Sequence, residues 1–250
     1  MDLSHNTILI TGGATGIGLE LAREFLAREN KVLVCGRREE KLREAKRRNP
    51  ELLYRVADIS EAESRKKLAE WAVAEGVNIL VNNAGMQREI DLTKGIEALE
   101  AGDNECRINF EGTIYFTAEL IPHLMKQKNA AIMNVSSGLG FVPMTITPIY
   151  SATKAGIHSY TLSLRHQLEP TGVKVFELIP PTVDTELDRG ARARRGQKDR
   201  GIPATDVAKA AMEGMVFDTP EITAGMAANL VNAARQPAFD AIFSRMNARH

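Results

Sequence analysis

Short, nearly continuous apolar runs alternate with longer amphipathic stretches along this chain. The runs predict six strands: TILIT (7–11), KVLVC (31–35), LLYRVA (52–57), NILVN (78–82), AAIMNVS (130–136) and VKVFELI (173–179). Strands that are apolar at most positions, rather than at every second one, are typical of a parallel sheet covered by helices on both faces. The sequence therefore predicts an α/β fold with a doubly wound parallel sheet.

The amphipathic stretches predict the covering helices, at 16–29, 60–75, 104–127 and 149–169. In the second of these, Ser60 is followed three residues later by Glu63, which fits a capping box at the start of a helix. No repeat, low-complexity tract or linker separates one part of the chain from another. We therefore expect residues 1–250 to form a single domain.

The charge balance argues against highly charged partners, because Lys plus Arg and Asp plus Glu both number 32. Neither nucleic acid nor a membrane is expected as a partner. The N-terminus, MDLSHNTILITGG, does not have the pattern of a secretory signal, and no apolar run approaches the ~20 residues that span a bilayer. We expect a cytoplasmic protein in which Cys35 and Cys106 are reduced packing residues. The histidines are scattered, and no metal site is predicted.

A glycine-rich turn, TGGATGIG (11–18), connects the first predicted strand to the first predicted helix. Gly12, Gly16 and Gly18 are spaced so that the backbone turns tightly and approaches a pyrophosphate, which the N–H groups at the helix start would bind. Glycines also serve ordinary tight turns, but the strand–turn–helix context favours a Rossmann-type dinucleotide site. Thr15 and Ile17, within the turn, are expected to contribute to it.

The end of the second strand bears on the choice of nucleotide. Rossmann domains that bind NAD place an Asp or Glu there, whereas this chain has Gly36-Arg37-Arg38. An arginine pairs with the 2′-phosphate that a carboxylate would repel, so Arg37 favours NADP(H) over NAD(H). The alternative is a solvated arginine at a helix start. Asp58, after the third strand, either accepts from the adenine amino group or caps the next helix.

Several motifs follow one another in the order and at the spacings of the short-chain dehydrogenase/reductase family. They are TGGATGIG, NNAG (82–85), Asn109, Ser137 and YSATK (150–154), with 13 residues from Ser137 to Tyr150 and four from Tyr150 to Lys154. The chain resembles this family over nearly its whole length. It also resembles a branch named after bacterial D-alanine–lipoteichoic acid operons, a name that describes gene neighbourhood and gives no substrate.

The resemblance implies an alcohol–carbonyl interconversion with Asn109, Ser137, Tyr150 and Lys154 as the catalytic set. Tyr150 exchanges the proton, but a phenol ordinarily has a pKa near 10. Because Lys154 is four residues further on, it shares a helix face with Tyr150, and its charge lowers the pKa of the phenol. Ser137 donates to the substrate oxygen, although Ser136 competes for that role.

The resemblance also implies further contacts. Asn109 anchors a water beneath Lys154, and both Tyr150 and Lys154 contact the cofactor, Lys154 at the nicotinamide ribose. The segment Asn83-Ala84-Gly85 lies against the adenosine side. The alternative for this segment is a strand-ending turn, which Asn and Gly favour.

After the sixth strand the chain departs from the family, because Pro181 follows Pro180 where a glycine is usual. Pro181 fixes φ near −65° and excludes a positive-φ turn. We still expect Pro180, Val183 and Thr185 to contact the cofactor, the last two at the nicotinamide carboxamide. In the family the next segment, 186–202, is a mobile lid over the substrate. Its excess of basic residues either attracts an anionic substrate or makes a solvated, flexible segment, and we adopt the second interpretation.

We therefore predict an NADP(H)-dependent oxidoreductase acting on a small-molecule alcohol or carbonyl. The alternative is a catalytically silent nucleotide-sensing or scaffold protein on the same fold, which the intact catalytic set disfavours. The resemblance implies a homodimer or homotetramer paired through the helices at 104–127 and 149–169. Small residues on the second helix permit close approach of another element, or serve only to pack it on its own sheet: Ala152, Ala155, Gly156 and Ser159.

Overall fold

The computed structural model describes residues 1–187, 189–196 and 201–235. Within these residues seven strands form one sheet: β1 (Thr7–Thr11), β2 (Lys31–Gly36), β3 (Leu53–Val56), β4 (Ile79–Asn82), β5 (Ala131–Val135), β6 (Lys174–Ile179) and β7 (Glu221–Thr223). All neighbouring strands are parallel, in the order β3-β2-β1-β4-β5-β6-β7. The direction of winding reverses between β1 and β4, so the predicted doubly wound, Rossmann-type α/β fold is confirmed.

Helices connect the strands and cover the sheet. They are α1 (Gly16–Leu26), α2 (Glu39–Arg48), α3 (Ala62–Glu75), α4 (Ile96–Glu100), α5 (Gly112–Leu124), α6 (Pro148–Leu168), α7 (Arg189–Arg194), α8 (Ala204–Val216) and α9 (Ala227–Ala234). Among the described residues, none of these helices combines the length and apolar character needed to cross a membrane.

The apolar core is split into two clusters by the sheet. In β1, Ile8 and Ile10 face one cluster, which Phe25 of α1 joins, while Leu9 faces the other, which Phe116 of α5 joins. All five side chains are fully buried, and burying each contributes roughly 1.5–3 kcal/mol to the free energy of unfolding. Because both faces of β1 are covered, the strand needs apolar residues at consecutive positions.

The sequence predicts a single helix over 104–127, whereas the structure begins there with a π-helical segment, Cys106–Glu111, that continues into α5. A π turn inserts an extra residue into the helix and re-aims the side chains next to it. Here Ile108 and Asn109 are buried as neighbours. The hydrophobic period alone does not reveal such an insertion.

The capping box predicted at Ser60 and Glu63 is wrong. Helix α3 begins at Ala62, and its N-cap residue, Glu61, makes no side-chain capping hydrogen bond. The Ser60 hydroxyl instead donates to Asp58 Oδ1 at 2.7 Å. A capping box requires Ser60 to be the N-cap residue, whereas here Glu61 has that position and Ser60 bonds to Asp58.

The two cysteines differ in their surroundings. Cys35 is buried in β2 as predicted, whereas Cys106 is exposed, so its interpretation as a packing residue is wrong. Cys106 opens the π-helical segment, and at that position its side chain faces outward. Both thiols are free.

Candidate active site

A cleft of about 370 Å³ lies at the carboxyl ends of the strands around the β1–β4 reversal, where doubly wound sheets bind ligands. Most of the predicted cofactor-binding residues line it: Gly12, Thr15, Gly16, Ile17, Arg37, Asp58, Asn83, Ala84, Gly85, Tyr150, Lys154, Pro180 and Thr185. Gly18, Val183, Asn109 and Ser137 are not among the lining residues. The fold thus brings most of the predicted residues to one surface.

The glycine-rich turn needs glycine where a side chain would collide with neighbouring backbone. Gly12 has φ +65°, and a Cβ there would lie 2.9 Å from Ala84 Cα. A Cβ on Gly18 would lie 2.5 Å from the carbonyl oxygen of Gly12, so Gly18 packs the turn from behind instead of lining the cleft. At the N-cap of α1, Thr15 makes no side-chain capping bond, so the first N–H groups of the helix have no side-chain acceptor there.

Asn83 supports this turn from the end of β4. Its side-chain amide donates to the carbonyl oxygens of Thr11 at 3.0 Å and Gly12 at 3.2 Å. The Thr11 hydroxyl in turn accepts from the backbone N–H groups of Asn83 and Ala84, both at 3.0 Å. The NNAG segment is therefore a brace for the glycine-rich turn as well as part of the cleft wall.

A rim of basic residues stands at the carboxyl end of β2. Arg37 donates to Asp103 Oδ2 at 2.8 Å, and its Nη1 lies 3.9 Å from Asp58 Oδ2. Arg37 and Asp103 are about half exposed. An exposed ion pair of this kind contributes only ~0–1 kcal/mol, so Asp103 holds Arg37 only weakly.

Two further basic residues of the same rim share one carboxylate. Arg38 and Lys41 each donate to Glu186, both at 3.1 Å. These charges lower the pKa of Glu186, with the hydrogen bond from Lys41 as the largest cause. Glu186 therefore ties the start of the 186–202 segment to the carboxyl end of β2.

Asp58 lies between the cleft and the turn that precedes α3. It lines the cleft, but its Oδ1 accepts from the backbone N–H of Ser60 at 2.9 Å as well as from the Ser60 hydroxyl. The carboxylate thus closes the turn that precedes α3.

Tyr150 and Lys154 project from one face of α6 into the cleft. Lys154 Nζ lies 5.6 Å from the centroid of the Tyr150 ring and donates to the carbonyl oxygen of Val135 at 2.7 Å. Burial lowers the pKa of Lys154 from 10.5 to about 8, against an opposing effect of the Glu177 carboxylate. A buried ammonium beside a phenol stabilises the phenolate form.

The two adjacent serines after β5 have different partners. The Ser136 hydroxyl donates to Glu177 Oε1 at 2.5 Å. Ser137 Oγ accepts from the backbone N–H of Leu139 at 3.1 Å, and this contact leaves its own hydroxyl hydrogen available to a further acceptor. Of the two competitors, Ser137 is the one whose hydrogen is not directed at Glu177.

Asn109 is fixed by the loop after β4. Its Oδ1 accepts from the Met86 N–H and its Nδ2 donates to the Met86 carbonyl, both at 2.8 Å. The same Nδ2 donates to Thr153 Oγ1 at 3.2 Å. Asn109 therefore connects the π-helical segment to the residue next to Lys154.

The segment after β6 divides between core and cleft. Pro180 and Thr185 line the cleft, whereas the side chain of Val183 is buried in the core and its backbone bridges to Ile202. In this structure the Val183 side chain is therefore not at the cleft surface. The departure at Pro181 is accommodated without a positive φ.

Two arginines in the described part of the 186–202 segment contact the rest of the protein. Arg192 is buried, and Arg195 forms an ion pair with Glu89. The interpretation of these two arginines as solvated is wrong, because local packing and a carboxylate on the facing loop engage them. Asp188 and residues 197–200 lie outside the described residues.

Sequence reasoning missed several residues at the site. One is Lys41, which belongs to the basic rim, and another is Glu186, the carboxylate that Lys41 binds. A third is Glu177 on the neighbouring strand β6, which accepts a hydrogen bond from Ser136. The signal for Glu177 was present, since it is the one acidic residue within VKVFELI. The pairing of Lys41 with Glu186 spans 145 residues and leaves no local pattern.

Comparison with known proteins agrees with this geometry. The short chain dehydrogenase family model matches residues 6–196. The oxidoreductase DltE of Bacillus subtilis is 43% identical over 251 residues, covering 100% of this chain and 99% of its own.

Solved structures share the fold. A short chain dehydrogenase from Burkholderia cenocepacia in complex with NADP is 25% identical, with a TM-score of 0.81 and 100% of both chains covered. One from Burkholderia phymatum in complex with NAD is 21% identical, with a TM-score of 0.84 over 97% of this chain and 96% of its own, and shows similarity of fold alone. By its motif order, its cleft and these relatives, the chain belongs to the short-chain dehydrogenase/reductase family of oxidoreductases.

Proposed function

We propose that this protein interconverts a small-molecule alcohol and its carbonyl, using NADP(H) and Tyr150 as the acid/base. The observation that carries the proposal is the buried ammonium of Lys154 beside the Tyr150 ring in the cleft. A buried charge of this kind is costly to maintain. It is useful where a neighbouring phenol must exchange a proton near neutral pH.

The cofactor site fits a dinucleotide on the residues present. Gly12, Thr15 and Gly16 line the cleft, and the start of α1 has no side-chain cap, which suits a pyrophosphate. When bound, the nicotinamide supplies or accepts the hydride. The NNAG residues and Asp58 would lie along the adenosine half, and Pro180 and Thr185 along the nicotinamide half, with Lys154 at the ribose.

In carbonyl reduction, the Tyr150 hydroxyl donates its proton to the substrate oxygen, and in alcohol oxidation the phenolate accepts it. Ser137 donates its free hydroxyl hydrogen to the same oxygen and so positions it. Lys154 favours the phenolate and thereby brings the pKa of Tyr150 toward neutral pH. Asn109 holds Thr153 by a hydrogen bond and so helps to orient the neighbouring Lys154 on α6.

The preference for NADP(H) rests on the basic rim. Gly36 places no carboxylate at the end of β2, and Arg37, Arg38 and Lys41 line the cleft next to it. Their present partners, Asp103 and Glu186, are exposed. A 2′-phosphate with nearly two negative charges offers more acceptors than either carboxylate and would replace them.

The substrate side is apolar. The loop between Ser137 and Tyr150 exposes Val142, Met144 and Ile146, and Leu187 is exposed at the cleft. Exposed apolar side chains next to a catalytic cleft suit a substrate with an apolar body. We therefore propose a carbonyl compound with hydrocarbon substituents as the substrate class.

The test is a panel of aldehydes and ketones with NADPH and with NADH, followed by loss of the reduced-cofactor absorbance. The proposal expects turnover of at least one apolar carbonyl, with NADPH preferred by roughly tenfold or more in kcat/KM. Tight cofactor binding without turnover of any compound would instead identify a nucleotide sensor. Preference for NADH would overturn the cofactor choice alone.

A further inference from the structure

Glu177 is a buried carboxylate in a place where the sheet otherwise presents apolar residues. Val175 and Ile179 of β6 flank it on the same face of the sheet. Its side chain is fully buried. A carboxylate in such a position costs several kcal/mol unless it is paired, so its partners explain why it is there.

Two side chains hold the two oxygens of Glu177. Ser136 donates to Oε1 at 2.5 Å, and His158 Nδ1 lies 2.8 Å from Oε2. The His158 side chain is 15% exposed and is covered by the Phe141 ring, whose centroid lies 4.4 Å away. The carboxylate is thus fixed in place beside the end of β5, two residues before Ser137.

Helix α6 connects this carboxylate to the active site. Tyr150, Lys154 and His158 are spaced four apart and so share one face of the helix. That face packs on β6 and on the end of β5, where Lys154 Nζ is bonded to the Val135 carbonyl. The Glu177 charge opposes the loss of the proton from Lys154 that burial favours.

The groups that face Glu177 come from four places in the fold. One nitrogen of His158 and one oxygen each of Glu177 and Glu221 lie within 4.8 Å of one another. Glu221 is the register partner of Glu177 on β7 and forms an ion pair with Arg235. Among the described residues, this set comes from the residue after β5, from α6, from β7 and from the residue after α9: Ser136, Lys154, His158, Arg165, Glu221 and Arg235.

The charges in this set determine which group responds when Glu177 is removed. Lys154, Arg165 and Arg235 are three cations, against the two carboxylates of Glu177 and Glu221. Arginine does not lose its proton in proteins. Of these three cations only Lys154 can lose its proton, so removal of the Glu177 charge favours the neutral form of Lys154.

We propose that Glu177, held by Ser136 and His158, is a positioning residue that keeps Lys154 charged and so keeps the Tyr150 phenolate accessible. This inference rests on the proposed role of Tyr150 and Lys154. It extends the proton-transfer machinery from the cleft through α6 to β6. Glu177 touches neither the reacting atoms nor the cofactor, and it acts only through Lys154.

The test is a titration of the Tyr150 phenolate by its near-ultraviolet absorbance, in the full chain saturated with NADP⁺ and corrected with the Tyr150→Phe variant in each background. In Glu177→Gln the phenolate pKa should rise by about one unit, because Lys154 deprotonates first. Simple removal of a nearby negative charge would lower the phenolate pKa, so the direction of the shift identifies the route. The alkaline rise of alcohol oxidation should move to higher pH by the same amount.

Two more variants complete the test. Glu177→Asp retains the charge and should restore the phenolate pKa to within a few tenths of a unit, whatever it does to Tm. Glu177→Met keeps the volume and needs no hydrogen-bond partner, so it replaces Gln if that variant does not fold. An unchanged or lowered phenolate pKa in a folded charge-free variant overturns the proposal. Failure of both charge-free variants to fold also overturns it, since the carboxylate is then structural.

The inference and the proposed function fail separately. Absence of turnover with every carbonyl, together with the upward shift in Glu177→Gln, would reject the proposed reaction and leave the coupling of Glu177 to Lys154 intact. Turnover that depends on Tyr150, without that shift, would support the proposed reaction and reject the coupling of Glu177 to Lys154.

Discussion

Lys154 carries a charge into the interior of the molecule, and that charge links stability to function. Burial lowers its pKa to about 8 from 10.5. Between these two values the unfolded chain binds more protons than the folded one, so folding stability contributed by this group rises with pH across that window and is lost as the pH falls through about 8. The folded protein therefore bears the cost of the buried ammonium at neutral pH.

This cost predicts that Lys154→Met stabilises the cofactor-free protein at pH 7 while abolishing turnover. The expected gain is about 1–3 kcal/mol in the free energy of unfolding, from the conversion of roughly 1.4 kcal/mol per pKa unit. Urea unfolding from pH 7 to pH 10 measures it, and the gain should shrink as the pH rises. Lys128→Met, at an exposed position, is the control. A gain that does not depend on pH would contradict the burial of a charged Lys154.

The proposed preference for NADP(H) depends on Arg37. Arg37→Asp removes a phosphate partner and introduces a carboxylate that accepts from a ribose 2′-hydroxyl. We expect kcat/KM for NADPH to fall by roughly tenfold to a hundredfold and that for NADH to rise. The matched control is Arg47→Asp, the same charge change on an exposed residue of α2. Equal losses with both cofactors would show that Arg37 does not read the 2′-position.

At the scale of elements, the turn between β1 and α1 depends on the absence of side chains. Gly12 and Gly76 both have positive φ, but only at Gly12 would a Cβ collide with a neighbouring backbone, 2.9 Å from Ala84 Cα. Each Gly→Ala change costs roughly 1–2 kcal/mol of stability through its φ.

The two substitutions should differ in cofactor binding. Gly12→Ala displaces the NNAG segment and should weaken NADP(H) binding at least about tenfold, since the misplaced backbone loses charge-assisted bonds to the phosphates. Gly76→Ala, with no atom within 4 Å of its Cβ, should leave affinity unchanged. Isothermal titration of both variants is the measurement. Equal affinities would mean that the turn tolerates the displacement.

The sequence predicted elements best where one physical cause dominated. The bounds of each predicted strand lie within two residues of those of an observed one. Apart from β3, which is partly exposed at the edge of the sheet, these strands are buried over most of their length and are therefore mostly apolar. The π-helical segment before α5 escaped prediction because hydrophobic period does not register one inserted residue. The capping box predicted at Ser60 was wrong because α3 begins only at Ala62, and the Ser60 hydroxyl donates to Asp58 instead. Helix α2, with only Leu42 and Ala45 buried, and the three-residue β7 have too few apolar positions to stand out.

The site was predictable to the extent that it is local in sequence. The glycine-rich turn and the Tyr150–Lys154 pair are short motifs whose geometry follows from one helix. The partners of the basic rim and of Glu177 could not be predicted. Arg38 and Glu186, like Ser136 and Glu177, are distant in sequence and come into contact only in the folded sheet. A single acidic residue in an apolar strand was the one local sign of the second pairing.

At the scale of the whole molecule, the outer face of α6 carries small, exposed residues. Ala152, Ala155 and Ser159 are exposed, so they do not pack the helix on its own sheet. Gly156 differs, because Phe110 lies against it and a Cβ would be 2.8 Å from that ring. Small exposed residues permit two such helices to approach closely.

We predict a homodimer or homotetramer assembled through α5 and α6. Ala155→Arg should reduce the mass measured by light scattering after size exclusion toward the monomer value of 27.5 kDa, and should lower Tm because assembly stabilises the folded chain. Ala74→Arg, on the exposed side of α3, is the control. A wild-type protein that is monomeric at micromolar concentration and fully active would contradict this assembly.

Proton exchange at Tyr150 is the central step of the proposed function. Its most direct test compares NADPH consumption by the wild type and by Tyr150→Phe with the best carbonyl of the panel. The ring keeps its packing and loses only the hydroxyl, so kcat should fall by at least ~10²–10⁴-fold while the Kd for NADP(H) changes little. Tyr160→Phe, on the same helix, should retain activity. Near wild-type kcat in Tyr150→Phe would contradict the central claim.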